Sequence, residues 1–206
     1  MTLQEAIEPM TVATDRRMTL KEFLTYDDGT DRRYELVDGV LVEMGAESTV
    51  NNWIAMFFVE LFLSIGLHRK QIGIKQKISV RSSFVSARDP DLIIHSEASR
   101  NTIAGRSEVC LFLGEPNPLI IIEIVSPGDE SHPNYTRDYQ DKPIEYADRG
   151  IPEYWIVDPI REVIMIGILS GSVYHYTKFR DHASIVSPTF PDLALTVAQI
   201  LEAGND

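Results

Sequence analysis

Two short apolar runs constrain most strongly what this chain can fold into. They are Asp91–His95 and Leu119–Val125, both dominated by Leu, Ile and Val and neither alternating with polar residues. Such runs are typical of central strands that are covered on both faces of a sheet. Each run nevertheless contains a carboxylate, Asp91 at the start of the first and Glu123 inside the second. The chain is therefore expected to contain a covered sheet with two acidic side chains whose burial costs free energy.

The patterns around these runs predict helices and strands in mixed order. Asn51 to Gly66 is apolar on most sides and predicts a long buried helix. Arg33 to Met44 predicts a β-hairpin, because the Asp-Gly pair at 38–39 is a strong turn signal. Ile72 to Val80 alternates like a half-buried strand, and Tyr135 to Arg149 has helical character. Three further strands are predicted at Tyr154–Val157, Val163–Leu169 and Val173–Tyr176.

These elements favour one fold class. A doubly wound fold would need helices between nearly all strands, and such helices are missing. We therefore expect an α/β protein of the mixed, α+β type. It should have a central sheet flanked by helices, an N-terminal β-hairpin and a C-terminal hairpin extension.

Length and composition bound the domain organisation. The 206 residues, 44% of them hydrophobic, suit one globular domain spanning residues 1–206. Residues 1–17 are expected to form a loose tail, with Glu5 and Glu8 where a signal peptide would be apolar. The stretch from Trp53 to Leu67 is interrupted by Glu60 and is too short to span a bilayer comfortably. A cytosolic protein without membrane segments is expected.

The charge distribution bears on nucleic-acid binding. A net charge of −12 argues against a general nucleic-acid-binding protein, because phosphate contacts need Lys and Arg. The segment from Leu61 to Arg88, however, contains no Asp or Glu. Its basic residues are Arg69, Lys70, Lys75, Lys77, Arg81 and Arg88. This basic segment, Arg69 to Arg88, predicts a local positive surface for DNA next to Asp91, and a solvated strand face explains the same charges equally well.

Several enzyme classes are excluded because their motifs are absent. The sequence has no Gly-rich phosphate loop and no His-Glu-x-x-His pattern, and its five histidines lack metal-ligand spacing. Cys110 is the only cysteine, which excludes an internal disulfide and a multi-cysteine zinc site.

The two carboxylates in the apolar runs remain as candidates. An ionised Glu123 inside a covered strand carries a desolvation penalty of roughly several kcal/mol unless it is paired or metal-bound. Asp91 and Glu123 on adjacent strands would form a hard-oxygen site suited to Mg²⁺ or Mn²⁺. Two alternatives stay open: Asp89-Pro90-Asp91 could be a turn entering a strand, and Glu123 could form a buried ion pair with Arg or Lys.

An ordered set of segments resembles a known superfamily. The segments are Tyr34-Glu-Leu-Val-Asp-Gly39, Pro90-Asp-Leu-Ile-Ile94, Ile122-Glu-Ile-Val-Ser-Pro127, Asp138 to Lys142, and Tyr146 to Pro159. Together they resemble the PD-(D/E)XK nuclease superfamily and, within it, a large family of restriction endonuclease type. The match runs from about Leu20 to past Leu169. The resemblance implies a restriction endonuclease-like core.

The resemblance also implies roles for individual residues. Asp91 and Glu123 would be the ligands of Mg²⁺, or of Mn²⁺ as a substitute, and the backbone carbonyl of Ile124 would complete the protein's share. Val125 occupies the position where the superfamily usually has a lysine, and the family places that lysine on the following helix, which points to Lys142. There it could orient the attacking water or stabilise charge on the phosphate. Glu35 would add a further carboxylate near the metal.

Three features complicate these roles. Glu35 could equally pair with Arg32 or Arg33. Pro143 follows Lys142 directly, so that either the helix starts there with Lys142 at its N-cap or the helix is kinked. Relatives often carry a histidine at the start of the long helix, where this chain has Asn51 and Asn52.

The resemblance implies a metal-dependent nuclease that acts on DNA. A subunit with one site would cut both strands only as a homodimer, and the helix from Asn51 to Gly66 is one candidate interface. The competing interpretation is a catalytically inactive module that kept the fold and binds nucleic acid or protein. The charge of −12, Val125 and the Lys142-Pro143 step favour that alternative.

Overall fold

The computed structural model describes residues 16–45, 48–128 and 130–205. The tail predicted for residues 1–17 therefore lies almost entirely outside the described residues. The helices are α1 (Leu20–Leu24), α2 (Thr49–Ser64), α3 (Glu97–Ile103), α4 (Pro133–Thr136), α5 (Lys142–Arg149) and α6 (Val197–Glu202). The strands are β1 (Tyr34–Val37), β2 (Val40–Glu43), β3 (Ile72–Ile74), β4 (Lys77–Val80), β5 (Ser86–Arg88), β6 (Leu92–Ile94), β7 (Cys110–Leu111), β8 (Ile120–Ile124), β9 (Glu153–Asp158), β10 (Val163–Ser170) and β11 (Val173–Phe179).

The strands form two mixed sheets flanked by helices. The central sheet has six strands in the order β11-β10-β9-β8-β6-β3, with β8 and β9 parallel and the other pairs antiparallel. A second sheet has five strands in the order β2-β1-β5-β4-β7. The predicted mixed fold, with its N-terminal hairpin β1–β2 and its C-terminal hairpin β10–β11, is confirmed. The second sheet was not predicted, because β5 and β7 are too short to show a periodic pattern.

Strand β8 lies in the middle of the central sheet and is buried throughout. Successive side chains of a strand point to opposite faces, so Ile120, Ile122 and Ile124 pack on one core cluster while Ile121 and Val125 pack on another. Glu123 shares the parity of Ile121 and Val125. The glutamate therefore faces the side of the sheet on which α5 packs.

Helix α2 covers the opposite face of the central sheet. It begins after Ser48, whose side chain accepts a hydrogen bond from the backbone N–H of Asn51, as expected of an N-cap. Its buried side chains Ile54, Phe58 and Phe62 recur every four residues and form one stripe. The predicted helix is present, but the prediction that it is buried on most sides is wrong, because several of its large apolar residues are exposed. They are Trp53, Met56 and Leu63.

The single strand predicted from Ile72 to Val80 is also wrong. The chain forms β3 and β4 there, and these strands belong to different sheets. Lys75, between them, has a φ of +52°, a left-handed conformation that no strand residue adopts. Because the alternation of side chains continues on both sides of this residue, the sequence pattern does not reveal the break.

Helices α4 and α5 are joined by a π-helical turn, Arg137–Asp141. Lys142 has helical dihedral angles, φ −57° and ψ −43°, and Pro143 follows within the first turn of α5. Pro143 has no N–H to donate to the preceding turn, and the wider π-helical turn lies where that hydrogen bond would be missing. Lys142 is therefore the first residue of α5 and not its N-cap, and it lies in an unbroken helical stretch that runs from α4 through the π-helical turn into α5. Every helix in the described part of the chain is too short or too polar to cross a bilayer.

Candidate metal centre

Asp91 and Glu123 lie opposite each other on neighbouring strands. The antiparallel register of β6 and β8 pairs Leu92 with Ile122, and one step further it places Asp91 across from Glu123. Side chains opposite each other on antiparallel strands point to the same face, with Cβ atoms roughly 5 Å apart. Asp91 Oδ2 also accepts a hydrogen bond of 2.7 Å from the backbone N–H of Ile124. The two carboxylates that the sequence singles out are thus brought together.

These residues line one cleft between the two sheets and the α4–α5 helix. Around the cleft lie Arg33, Met44, Gly45, Asn51, Asn52, Asp91, Glu123, Ile124, Ser126, Arg137, Asp138 and Lys142. All the predicted site residues except Glu35 are on this list. Val125, at the usual lysine position, is instead buried in the core beside Tyr146.

Glu123 is held by two donors from α5. Its Oε2 accepts a hydrogen bond from Lys142 Nζ at 2.8 Å, and its Oε1 accepts one from the Tyr146 hydroxyl at 2.7 Å. Burial raises the pKa of Glu123, and the charge of Lys142 opposes that rise. The buried ion pair foreseen as an alternative to a metal site is therefore present within the candidate metal site itself.

Lys142 is almost completely buried and faces three carboxylates. Its Nζ lies 2.8 Å from Glu123 Oε2, 3.1 Å from Asp138 Oδ1 and 3.6 Å from Glu35 Oε1. Burial lowers the pKa of this lysine, but the charges of Asp138, Glu123 and Glu35 outweigh it and raise the pKa above its usual value. Lys142 is therefore a firmly protonated cation behind the cleft.

Glu35 supports Lys142 and Arg88 from the second sheet. Its Oε2 accepts a hydrogen bond of 2.9 Å from Arg88 Nη1, and its Oε1 accepts one of 3.2 Å from the backbone N–H of Asp89. The charges of Lys142 and Arg88 overcome the effect of burial and lower its pKa. The suggested pairing of Glu35 with Arg32 or Arg33 is wrong. Arg32 pairs with Glu43 and Arg33 with Asp89.

The basic segment from Arg69 to Arg88 needs one correction. Arg88 is only 2% exposed, and besides Glu35 it binds both carboxylate oxygens of Glu145, at 2.6 and 2.7 Å. It is a structural cation and offers no surface to DNA. The exposed members of the segment are Arg69, Lys70, Lys75 and Arg81.

Two charged residues of the cleft were missed by the sequence analysis. Arg137 and Asp138 are buried and hydrogen-bonded to each other, with Nε to Oδ1 at 3.0 Å. The signal for Asp138 was its position four residues before Lys142, since residues four apart share a helix face. Arg137 gave no comparable signal, because one arginine near a helix is usually exposed.

Asn51 also lies at the cleft, although no role was predicted for it. Its Nδ2 donates to the carbonyl oxygens of Ile124 and Val125, at 3.1 and 3.3 Å. It thereby ties the start of α2 to the end of β8, at the carbonyl predicted to be a metal ligand. A carbonyl oxygen has two lone pairs, so Ile124 keeps one for a cation.

The residues of the cleft fit a hard divalent cation. No three His, Cys, Asp or Glu side chains in the described part of the chain are arranged as a metal site, so the candidate donors are two carboxylates and one carbonyl. Mg²⁺ commonly binds through one or two carboxylates and keeps several waters. Asp91 forms no ion pair with a described cation, and partial burial together with the charge of Glu123 raises its pKa to about 7. Asp91, the carboxylate of the pair without an ion-pair partner among the described residues, is the group that a divalent cation would stabilise.

The mixed sheet, the paired carboxylates and the lysine from the following helix define a restriction endonuclease-like protein of the PD-(D/E)XK superfamily. Residues 20–198 match the model of the Uma2 family, whose description is "Putative restriction endonuclease". Since the match covers most of the chain, the protein belongs to this family. It is also similar to a crystal structure described as "a putative nuclease belonging to DUF820" from Anabaena variabilis, with a TM-score of 0.69 and 16% identity, over 91% of this chain and 99% of the other. No curated protein matches the chain.

Proposed function

We propose that the protein is a metal-dependent nuclease that hydrolyses phosphodiester bonds in DNA. One observation carries this proposal: the β6–β8 register sets Asp91 across from Glu123 in a cleft, and Lys142 contacts Glu123 there. Family membership supports a nuclease, and the crystal structure that resembles the chain supports the fold.

Each residue of the cleft has a role in this proposal. Asp91, Glu123 and the carbonyl of Ile124 would hold Mg²⁺, or Mn²⁺ in its place. When bound, the cation supplies a Lewis acid next to the phosphate and lowers the pKa of the attacking water. Lys142 fixes the orientation of Glu123 and contributes positive charge close to the reacting phosphate. Glu35 holds Lys142 in place from the second sheet.

The proposed reaction is the hydrolysis of a phosphodiester bond by water. The water oxygen forms a bond to phosphorus, the bond from phosphorus to the leaving sugar oxygen breaks, and the proton of the water ends on that leaving oxygen. Negative charge grows on the phosphoryl oxygens as the water attacks. A buried site that offers fixed positive charge stabilises this charge more strongly than bulk water does.

The test is nicking of a supercoiled plasmid with Mg²⁺ or Mn²⁺. Wild-type protein is expected to nick the plasmid in metal and not in EDTA, whereas Asp91→Asn and Glu123→Gln should lose activity by roughly 100-fold or more. Asp192→Asn, a matched change of an exposed carboxylate, should behave like wild type. Absence of nicking by the wild type across pH and metal would refute the proposal, and equal nicking by all variants would indicate a contaminating nuclease.

A second candidate function is a non-catalytic module that binds nucleic acid or protein. The observation that favours it is the closed network around Lys142, in which the lysine and both oxygens of Glu123 already have partners within the protein. Mn²⁺ binding separates the two candidates. The nuclease should bind Mn²⁺ and lose it in Asp91→Asn, whereas the inactive module should bind DNA or protein without metal.

We further propose a homodimer in the cytosol. Cleavage of both DNA strands by subunits with one site each requires two copies. Light scattering of the purified protein measures the mass in solution, and a monomer at all concentrations tested would contradict the dimer.

A further inference from the structure

Arg137 is a buried cation to which the proposed metal site gives no role. It begins the π-helical turn, and only 6% of its surface is exposed. It lines the same cleft as Asp91, Glu123 and Lys142. Its Nη1 is buried and has no hydrogen-bond partner in the described part of the chain. A buried guanidinium nitrogen without a partner is rare, and here it points to a ligand that enters the cleft.

Asp138 fixes the direction in which Arg137 can bind. Arg137 Nε donates to Asp138 Oδ1 at 3.0 Å, and its Nη2 donates to Oδ2 at 3.4 Å. The guanidinium is planar, so engaging Nε and Nη2 on one edge leaves Nη1 on the side away from Asp138. The unpartnered donor is therefore charged and held in a fixed orientation.

Lys142 is poorly placed to bind a ligand directly. An ammonium group has three N–H donors. The Nζ of Lys142 already has carboxylate oxygens of Glu123, Asp138 and Glu35 within 3.6 Å. Three cationic side chains line the cleft, those of Arg33, Arg137 and Lys142, and among the described residues only Arg137 is found there with a buried donor that has no hydrogen-bond partner.

From these contacts we infer that Arg137, through Nη1, binds a phosphate oxygen of a nucleic-acid strand that lies in the cleft beside Asp91 and Glu123. The choice of a nucleic-acid phosphate rests on the proposed nuclease function. A charge-assisted hydrogen bond to a non-bridging oxygen places the phosphodiester next to the carboxylate pair. The same bond strengthens as negative charge grows on that oxygen during attack by water. Asp138 is then a positioning residue that acts through Arg137.

The test compares Arg137→Gln and Arg137→Lys with Arg100→Gln, an arginine on α3 outside the cleft. Three quantities are measured on each protein. They are the affinity for a fluorescein-labelled single-stranded DNA oligonucleotide in Ca²⁺ by anisotropy, the plasmid nicking rate in Mn²⁺, and the Mn²⁺ affinity by electron paramagnetic resonance. Arg137→Gln should bind the oligonucleotide about 10-fold more weakly and nick roughly 100-fold more slowly. Its Mn²⁺ affinity should equal that of the wild type, because Arg137 is not a metal ligand.

Two results would overturn the inference. The first is that Arg137→Gln binds the oligonucleotide as tightly, and nicks the plasmid as fast, as Arg100→Gln does. The other is a parallel loss of Mn²⁺ affinity, which would mean that Arg137 only supports the metal ligands. Arg137→Lys covers the case in which Arg137→Gln does not fold. Its ammonium pairs with Asp138 and cannot reach the phosphate as well, so wild-type affinity in folded Arg137→Lys would also overturn the inference.

Failure of the proposed function gives a different pattern. If the wild type nicks no plasmid, oligonucleotide binding still decides the role of Arg137. Weaker binding by Arg137→Gln than by Arg100→Gln would support a phosphate contact in a non-catalytic protein. Equal binding, or no binding by the wild type, would refute it.

Discussion

Lys142 Nζ lies 2.8 Å from Glu123 Oε2, although the two residues are 19 positions apart and both are almost fully buried. Tyr146, one turn further along α5, donates to the other oxygen of the same carboxylate. The glutamate of the candidate metal site is therefore held by two successive turns of one helix. Removing either partner of such a buried pair leaves the other charge uncompensated.

Replacing Lys142 should destabilise the protein strongly. In Lys142→Met the side chain keeps a similar size, but Glu123, Asp138 and Glu35 lose the cation that they share. The free energy of unfolding should fall by about 3–5 kcal/mol. Urea denaturation at neutral pH measures the change.

The double variant Lys142→Met/Glu123→Gln provides the control for this prediction. Because Glu123→Gln removes one of the unpaired charges, the double variant should lose less stability than the sum of the two single variants. Strict additivity would mean that the Lys142–Glu123 pair contributes no coupling energy.

Replacing Arg88 separates a structural cation from a DNA contact. Arg88 binds Glu35 and Glu145 inside the protein, so Arg88→Met should lower the free energy of unfolding by about 3–5 kcal/mol. The matched change of an exposed arginine, Arg81→Gln, should alter it by less than about 0.5 kcal/mol. A folded Arg88→Met protein with wild-type stability and weakened DNA binding would show that Arg88 contacts DNA after all.

The Glu123 strand and the Lys142 contact differ in how far they could be predicted. The cost of a carboxylate in an apolar strand is local, so the sequence alone marks Glu123 and Asp91 as unusual. The side of the helix that Lys142 occupies depends on the π-helical turn before it. Only the resemblance to a family pointed to Lys142.

The second sheet shows where sequence patterns fail. Arg88 lies on β5, which has three residues and therefore no measurable alternation. Its burial follows from Glu35 and Glu145, which are far away in the sequence. Lys75 likewise follows β3 with a positive φ, and the alternation of the flanking residues in the sequence continues past it. Local patterns predict the covered strands, whereas contacts between the sheets become evident only in three dimensions.

Asn51 should stabilise the junction of α2 and β8. Asn51→Ala removes the donor that serves the carbonyls of Ile124 and Val125, which should cost about 1–3 kcal/mol in the free energy of unfolding. Asn52, its exposed neighbour, is the matched control, and Asn52→Ala should change stability little. Equal effects of the two substitutions would contradict a specific role for the Asn51 amide.

His95 should make the stability depend on pH. It is 1% exposed, and burial lowers its pKa to about 4 from the ordinary 6.5, while Gln76 Oε1 and Ser99 Oγ lie 2.9 and 3.0 Å from its ring nitrogens. Since the unfolded chain binds a proton below pH 6.5 and the folded protein does not, the contribution of the neutral ring is complete above that pH. It is lost as the pH falls from 6.5 towards 4, by at most about 1.4 kcal/mol per pH unit.

His95→Gln removes this titration while keeping a side chain that can hydrogen-bond to Gln76 and Ser99. The free energy of unfolding of the wild type should therefore fall more steeply than that of His95→Gln as the pH is lowered from 7.5 to 4.5. Other groups titrate equally in both proteins and cancel in the difference. His175→Gln, which replaces an exposed histidine, is the matched control. Parallel curves for wild type and His95→Gln would mean that the ring of His95 accepts a proton in the folded state as easily as in water.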